Sequence, residues 1–214
     1  VGSGALDACT TGGFNTAVGK DALGATDDGL KNVAVGYQAL NANCGQNNTA
    51  IGFEALESCT GDYNTALGSA SGDAITSGVQ NTAVGHNSLT STDDGHYNVA
   101  GGVSALHAHC ADNNVAVGKA ALYEFTGSDA TAIGYQAADA ATSAIDLVAV
   151  GKNALTACTD GNYNTAVGVE ACGYNVSASR NSAFGRHSML QNVSGDDNTT
   201  MGYNSGYSLT NSDN

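Results

Sequence analysis

The sequence predicts an all-β protein, a parallel β-solenoid, and three observations support this class. A pentapeptide of the form Asn-x-Ala-φ-Gly, in which φ is a bulky apolar residue, recurs every 16 or 17 residues through all 214 residues. No helical repeat is this short, and the β-branched, Gly and Asn content suits one turn of a solenoid. Polar segments separate the copies. Thirteen turns are expected, closing at Gly2, Gly19, Gly36, Gly52, Gly68, Gly85, Gly102, Gly118, Gly134, Gly151, Gly168, Gly185 and Gly202.

Each repeat is predicted to contain two strand-like pieces and a turn. The first piece is the pentapeptide, and the second follows its glycine by two residues and commonly reads Ala-Leu, as in Ala22-Leu23 and Ala55-Leu56. A segment rich in Asp, Gly, Asn and Thr comes next, and these residue types favour turns. The most variable of these segments are predicted to be surface loops. They are residues 24–31, 90–97, 123–129 and 173–180.

Strand alternation divides the pentapeptide between two faces. One face carries φ and the Thr or Val two residues before it, and the opposite face carries alanine. Both faces are restricted in residue type, so we expect the bulky face to fill the coil and the alanine face to pack against another chain. The predicted alanine ladder is Ala17, Ala34, Ala50, Ala66, Ala83, Ala100, Ala116, Ala132, Ala149, Ala166 and Ala183.

Asparagine begins the pentapeptide in most repeats, with Ala130 and Leu147 as the exceptions. Stacked asparagines can hydrogen-bond from turn to turn along a solenoid. We therefore predict a structural ladder rather than a binding site. Its members are Asn15, Asn32, Asn48, Asn64, Asn81, Asn98, Asn114, Asn164, Asn181 and Asn198.

The charge balance restricts the partners. The chain has 6 basic and 20 acidic residues, a net charge of −14. Nucleic-acid binding needs clustered Lys and Arg, and six cations scattered along the sequence do not supply them. We therefore expect no nucleic-acid partner and no attraction to anionic membranes. No apolar run is long enough to span a bilayer, so membrane insertion is not expected either.

One domain is predicted over residues 1–214. The glycine spacing repeats after 66 residues, and residues 26–29 match residues 92–95 at this offset, which indicates duplication of four-turn blocks. Since the chain starts and stops within the pattern, we interpret it as a segment of a longer fibre.

Six cysteines provide candidate cross-links. Cys44 and Cys59 occupy nearly equivalent places on consecutive turns, about 4.8 Å apart, which suits a disulfide. Cys158 and Cys172 form a second candidate pair, with offsets that differ by three residues. Cys9 and Cys110 have no cysteine on a neighbouring turn and are expected to be free and buried, or paired between chains. The alternative for all six is a role as small buried apolar residues.

Few residues are candidates for a metal-binding or catalytic site. Asp27, Asp28, Asp93 and Asp94 carry oxygens suited to Ca²⁺, but solvated turn residues are the favoured interpretation and no cofactor is expected. His107 and His109 are predicted to share a strand face, without an acidic partner nearby in sequence or an activated nucleophile.

A column of Thr residues suggests an ice-binding array, but Val33, Val99, Val115 and Val148 interrupt it. Ice binding is therefore disfavoured, and we predict that the protein is not an enzyme.

The motif resembles known repeats. Residues 81–88 and the pentapeptide at 48–52 resemble the head repeat of YadA-type trimeric autotransporter adhesins. The longer form with Ala-Leu is similar to repeats of phage tail fibres and related bacterial surface proteins. The resemblance covers essentially the whole chain, with a period two to three residues longer than in the adhesin heads and with cysteines that those heads usually lack.

The resemblance implies a left-handed β-roll, three chains side by side, and a place outside the cell, on a cell surface or on a virion. The first functional hypothesis is accordingly a structural segment of an attachment fibre, either an adhesin head or a tail-fibre shaft. Two alternatives are a self-assembling extracellular filament and a module that binds glycans or a host surface through its variable loops.

Overall fold

The computed structural model describes residues 1–209 and divides the chain into two compact units, Val1–Asp112 and Asn113–Asn214. Each unit is a parallel β-solenoid with one short strand per turn, so the predicted class is confirmed. Residues 1–209 contain no helix, and therefore none long and apolar enough to cross a membrane. A single domain over the whole chain stays a prediction.

The first unit contains six parallel strands of three residues. Each strand pairs with the next at an offset of one repeat, so that Ala17 lies beside Ala34 and Ala50 beside Ala66. The pairing is continuous from the first strand to the sixth. The strands are β1 Thr16–Val18, β2 Val33–Val35, β3 Thr49–Ile51, β4 Thr65–Leu67, β5 Thr82–Val84 and β6 Val99–Gly101.

The second unit repeats this arrangement with six further strands, paired in parallel and in the same register. Every strand in both units is the x-Ala-φ core of a pentapeptide, except for Gly101 at φ and Thr200 in place of alanine. The strands are β7 Val115–Val117, β8 Thr131–Ile133, β9 Val148–Val150, β10 Thr165–Val167, β11 Ser182–Phe184 and β12 Thr199–Met201. The repeat that closes at Gly2 forms no strand.

The expected second strand piece is wrong, because the Ala-Leu segment is a turn. Leu23, Leu40 and Leu56 have φ values of 52°, 50° and 50°, in the left-handed region that non-glycine residues rarely adopt. Each leucine is fully buried, and its N–H donates to a carbonyl of the next turn, as from Leu23 to Ala39 at 3.0 Å. Burial and this hydrogen bond hold the leucine in a conformation that costs about 1–2 kcal/mol.

The two strand faces are reversed relative to expectation. The alanines of the predicted ladder are 0–1% exposed, apart from Ala17 at 8%, and therefore point into the coil rather than toward another chain. The φ side chains point outward, with Leu67 at 47% and Ile51 at 39% exposure. Buried leucines and ladder asparagines already occupy the interior, so only a small side chain fits beside them.

The closing glycine of each pentapeptide marks a bend where turns stack most closely. Gly52 has a φ of +146°, and a Cβ atom built on it would lie 2.1 Å from the carbonyl oxygen of Gly68. An alanine would therefore collide with the backbone of the next turn. Both the conformation and the close approach require glycine here.

Candidate interaction face

The outward side chains of the strands form a regular surface in each unit, which we call the strand face. It has two columns, one of Thr or Val and one of φ residues, with a spacing of about 4.8 Å between turns. In the first unit the strand face consists of Thr16, Val18, Val33, Val35, Thr49, Ile51, Thr65, Leu67, Thr82, Val84, Val99 and Gly101. In the second it consists of Val115, Val117, Thr131, Ile133, Val148, Val150, Thr165, Val167, Ser182, Phe184, Thr199 and Met201.

The strand face carries no charged residue. Its φ column is apolar, and the other column consists of Thr, Val and one Ser. Val84 is 41% exposed, Val117 and Ile133 are each 42% exposed, and Met201 is 77% exposed. A contiguous apolar surface is uncommon on a chain that stays alone in water, and it is typical of interaction sites. This face is therefore the strongest candidate for a contact with a partner.

Cations and aromatic residues border the strand face. All six Lys and Arg residues lie two positions before or after a strand: Lys20, Lys31, Lys119, Lys152, Arg180 and Arg186. These cations look scattered along the sequence, because whole repeats separate them. Aromatic rings share the same positions, and Tyr37 stacks on Phe53 with centroids 5.2 Å apart while the Lys20 ammonium lies 5.4 Å from the Tyr37 ring.

The ladder asparagines connect consecutive turns by two hydrogen bonds each. Asn48 Nδ2 donates to the Gly61 carbonyl at 2.8 Å, and Asn48 Oδ1 accepts from the Asn64 N–H at 2.8 Å. The same pair of hydrogen bonds recurs at Asn32, Asn64, Asn81, Asn114, Asn164 and Asn181. At Asn198, the last ladder member, both side-chain polar atoms are buried and have no partner among residues 1–209. The ladder thus fixes the turns that present the strand face.

None of the six cysteines forms a disulfide within the described part of the chain, so the predicted pairs Cys44–Cys59 and Cys158–Cys172 are not formed. Their sulfurs have other partners: Cys44 Sγ lies 3.2 Å from Thr26 Oγ1, and Cys158 Sγ lies 3.5 Å from the Gly161 carbonyl oxygen. Burial raises the pKa of Cys44, raises the pKa of Cys59 and Cys172 to about 12, and raises that of Cys158 to about 11. These thiols therefore stay protonated near neutral pH.

The two remaining cysteines differ in burial. Cys9 is half-buried with its sulfur 3.5 Å from the Gly12 carbonyl oxygen, whereas Cys110 is fully buried with its sulfur 3.1 Å from Thr92 Oγ1. Pairing of these two cysteines between chains stays a prediction.

The predicted calcium ligands are not brought together. Asp27, Asp28, Asp93 and Asp94 are exposed, and no group of three or more His, Cys, Asp or Glu converges on an ion position within residues 1–209. Asp27 accepts a hydrogen bond from the Thr10 hydroxyl.

The histidine prediction is corrected. His107 and His109 follow β6 in irregular backbone, so they do not share a strand face. His109 Nε2 instead lies 3.4 Å from Asp94 Oδ1.

Charged groups in the loops interact locally. At the end of loop 173–180, Arg180 makes hydrogen bonds to Asp197 at 2.6 Å and 2.9 Å and to Asp196 at 3.1 Å. The hydrogen bond from Arg180 lowers the pKa of Asp197. Burial raises the pKa of Asp73, whose Oδ1 is buried without a partner.

Comparison with protein-family models, with curated proteins and with solved structures finds no match to this chain.

Proposed function

We propose that this chain is a structural segment of an extracellular or viral attachment fibre and that three copies associate through their strand faces. The observation that carries the proposal is the uncharged apolar strand face repeated in each unit, with Leu67 at 47% exposure and Phe184 at 37%. Its association removes apolar surface from water, worth roughly 25 cal/mol per Å² of buried area. The resemblance to adhesin heads and tail-fibre repeats supplies the fibre role, the left-handed coil and the trimer.

The strand face replaces the alanine face as the contact between copies. The alanines pack inside their own coil, so they have no surface to offer. A ring of three copies also needs two different patches on each chain, because a threefold contact is heterologous. The two columns of the strand face, one of Thr or Val and one of φ residues, are different patches of this kind.

The test is the mass of the protein in solution, measured by light scattering. The wild-type chain is expected at three times the chain mass. Ile51→Lys with Val84→Lys places two charges on the strand face of the first unit and is expected to give single chains. Val193→Lys is the matched control, since Val193 is 50% exposed but lies in a turn away from any strand.

A wild-type protein at the mass of one chain would contradict the trimer. Large open particles would favour the filament, and retention of the trimer in the double variant would exclude the strand face of the first unit as the contact.

Ice binding is a second candidate, favoured by one observation. The Thr column faces outward rather than into the coil, and Thr16, Thr65 and Thr199 are exposed. A flat array of hydroxyl and methyl groups at regular spacing can order water only if no partner covers it. This function therefore requires a monomer, and thermal hysteresis of the freezing point measures it directly.

A further inference from the structure

The second unit carries a line of exposed cations and tyrosines along one edge of its strand face. The residue two positions after each strand from β7 to β12 belongs to this line. The backbone keeps these residues in register. From Tyr135 to Tyr203, the residue that follows each one donates its N–H to the carbonyl of the corresponding residue one turn before, as from Gln136 to Lys119 at 3.0 Å. We call this line the basic stripe, and it consists of Lys119, Tyr135, Lys152, Val169, Arg186 and Tyr203.

The cations of the basic stripe are available to a ligand. Lys119, Lys152 and Arg186 are exposed, and no carboxylate lies within ion-pair distance of them in residues 1–209. Arg180, on the opposite edge of the same strand face, is by contrast paired with Asp196 and Asp197. Three unpaired cations on one line are a local concentration of positive charge in a strongly acidic chain.

The spacing of these cations is regular. Lys119 and Lys152 are two turns apart, and so are Lys152 and Arg186, which corresponds to about 9.6 Å in each case. Tyr135 lies on the turn between the two lysines and is 45% exposed, while Tyr203 is 67% exposed with the Arg186 guanidinium 5.8 Å from its ring. The stripe thus presents one cation on every second turn, with aromatic surface on two of the other three.

We propose that the basic stripe binds an extended acidic polysaccharide that carries one carboxylate or sulfate on every second sugar. A disaccharide of such a polymer has about the length of two solenoid turns, so successive anions meet successive cations. The tyrosine rings offer the flat apolar surface on which the C–H face of a sugar packs. A carboxylate or sulfate at each cation makes a charge-assisted hydrogen bond.

The spacing selects against nucleic acid. Phosphates recur about every 3.4 Å along each strand of a duplex, which gives nearly three phosphates for each cation of the stripe. The excess negative charge would face a chain of net charge −14. A polymer with sparse, regular charge matches the stripe and limits this repulsion.

The experiment measures binding of a hyaluronan oligosaccharide, which has one carboxylate per disaccharide, by calorimetry at low ionic strength. Dextran and a short DNA duplex are the comparison ligands. The wild-type chain is expected to bind hyaluronan, with weaker affinity at higher salt because exposed charges are screened. Lys152→Gln is expected to weaken binding about fivefold, as for one exposed ion pair, and Tyr135→Ala by a similar factor.

Arg180→Gln is the matched control. It removes an exposed cation of the same unit that is already paired, so hyaluronan binding is expected to stay unchanged. All three substitutions are at the surface, and circular dichroism checks that the fold is retained. The proposal is overturned if wild-type protein does not bind hyaluronan, if dextran or DNA binds as tightly, or if Arg180→Gln weakens binding as much as Lys152→Gln. These readouts do not depend on the trimer.

Discussion

The asparagine ladder leads to a prediction in which one substitution has opposite effects at two positions of the same unit. Asn164 Nδ2 donates to the Ala178 carbonyl at 2.7 Å, and Asn164 Oδ1 accepts from the Asn181 N–H at 3.0 Å. Asn198 is also buried, but its Nδ2 and Oδ1 have no partner among residues 1–209. Leucine, which occupies the ladder position naturally at Leu147, preserves most of the side-chain volume at both sites.

The expected changes in the free energy of unfolding follow from the buried polar groups that each substitution leaves without a hydrogen-bond partner or removes. Asn164→Leu leaves a buried carbonyl and a buried N–H without partners, at about 1–3 kcal/mol each, so the free energy of unfolding is expected to fall by about 2–6 kcal/mol. Asn198→Leu breaks no hydrogen bond and removes two unsatisfied buried polar atoms. The stability of this variant is therefore expected to stay the same or to rise by about 1–2 kcal/mol.

The assay is urea unfolding followed by circular dichroism, with amide hydrogen exchange at residue 181 as a local readout. Asn164→Leu should speed exchange of the Asn181 amide, because this N–H loses its acceptor. Equal losses of stability in the two variants would refute the argument that the ladder acts through contacts to the following turn. A loss below about 0.5 kcal/mol for Asn164→Leu would refute the energetic role of the ladder.

Three further predictions concern the close turn, the thiols and a buried carboxyl. Gly52→Ala is expected to lower stability by about 3 kcal/mol or more, because its Cβ would lie 2.1 Å from the Gly68 oxygen. At Gly202, where a Cβ meets no atom of residues 1–209 within 4 Å, alanine bears only the strain of its φ, about 1–3 kcal/mol. Equal losses in urea unfolding would contradict the close approach at Gly52. Burial raises the pKa of Cys59 from 9.0 to about 12, so above pH 9 the unfolded thiol loses its proton while the folded one keeps it, and stability falls as pH rises. Compared with Cys59→Ala, the wild-type chain should lose about 1.4 kcal/mol more between about pH 8 and about pH 10, and parallel pH profiles would contradict the buried thiol. Burial likewise raises the pKa of Asp73, so the charged form of this carboxyl opposes folding. Asp73→Asn should therefore increase the melting temperature at neutral pH but not near pH 3. A decrease at neutral pH would show that the carboxylate is stabilising.

The sequence predicted the positions of the strands well, because the pentapeptide recurs at a fixed spacing and each strand lies within one copy. It could not tell which strand face is buried. Strand alternation places Ala66 and Leu67 on opposite faces but gives both faces the same period. Only the volume left inside the coil determines which of the two faces is buried. Buried leucines and asparagines use that volume, and alanine takes what remains.

The turn at Ala-Leu was missed for a different reason. Left-handed backbone is commonly signalled by Gly, Asn or Asp, and Leu56 at a φ of 50° carries no such signal. Its conformation is a consequence of tertiary burial. The basic stripe was missed because the residues from Lys119 to Arg186 are separated by whole repeats, and counting two positions beyond each pentapeptide core would have aligned them.

The most direct test of the central claim, that copies meet through the strand face, is the reactivity of two introduced thiols toward a maleimide. Ala66→Cys and Leu67→Cys are compared in a chain whose half-buried Cys9 is changed to Ala, since the other native cysteines are fully buried. The thiol of Ala66→Cys is expected never to react in folded protein. The thiol of Leu67→Cys is expected to react in dilute, dissociated chains but to be protected at concentrations where light scattering shows association. Reaction of Ala66→Cys, or equal reaction of Leu67→Cys in both states, would contradict an interface at the strand face.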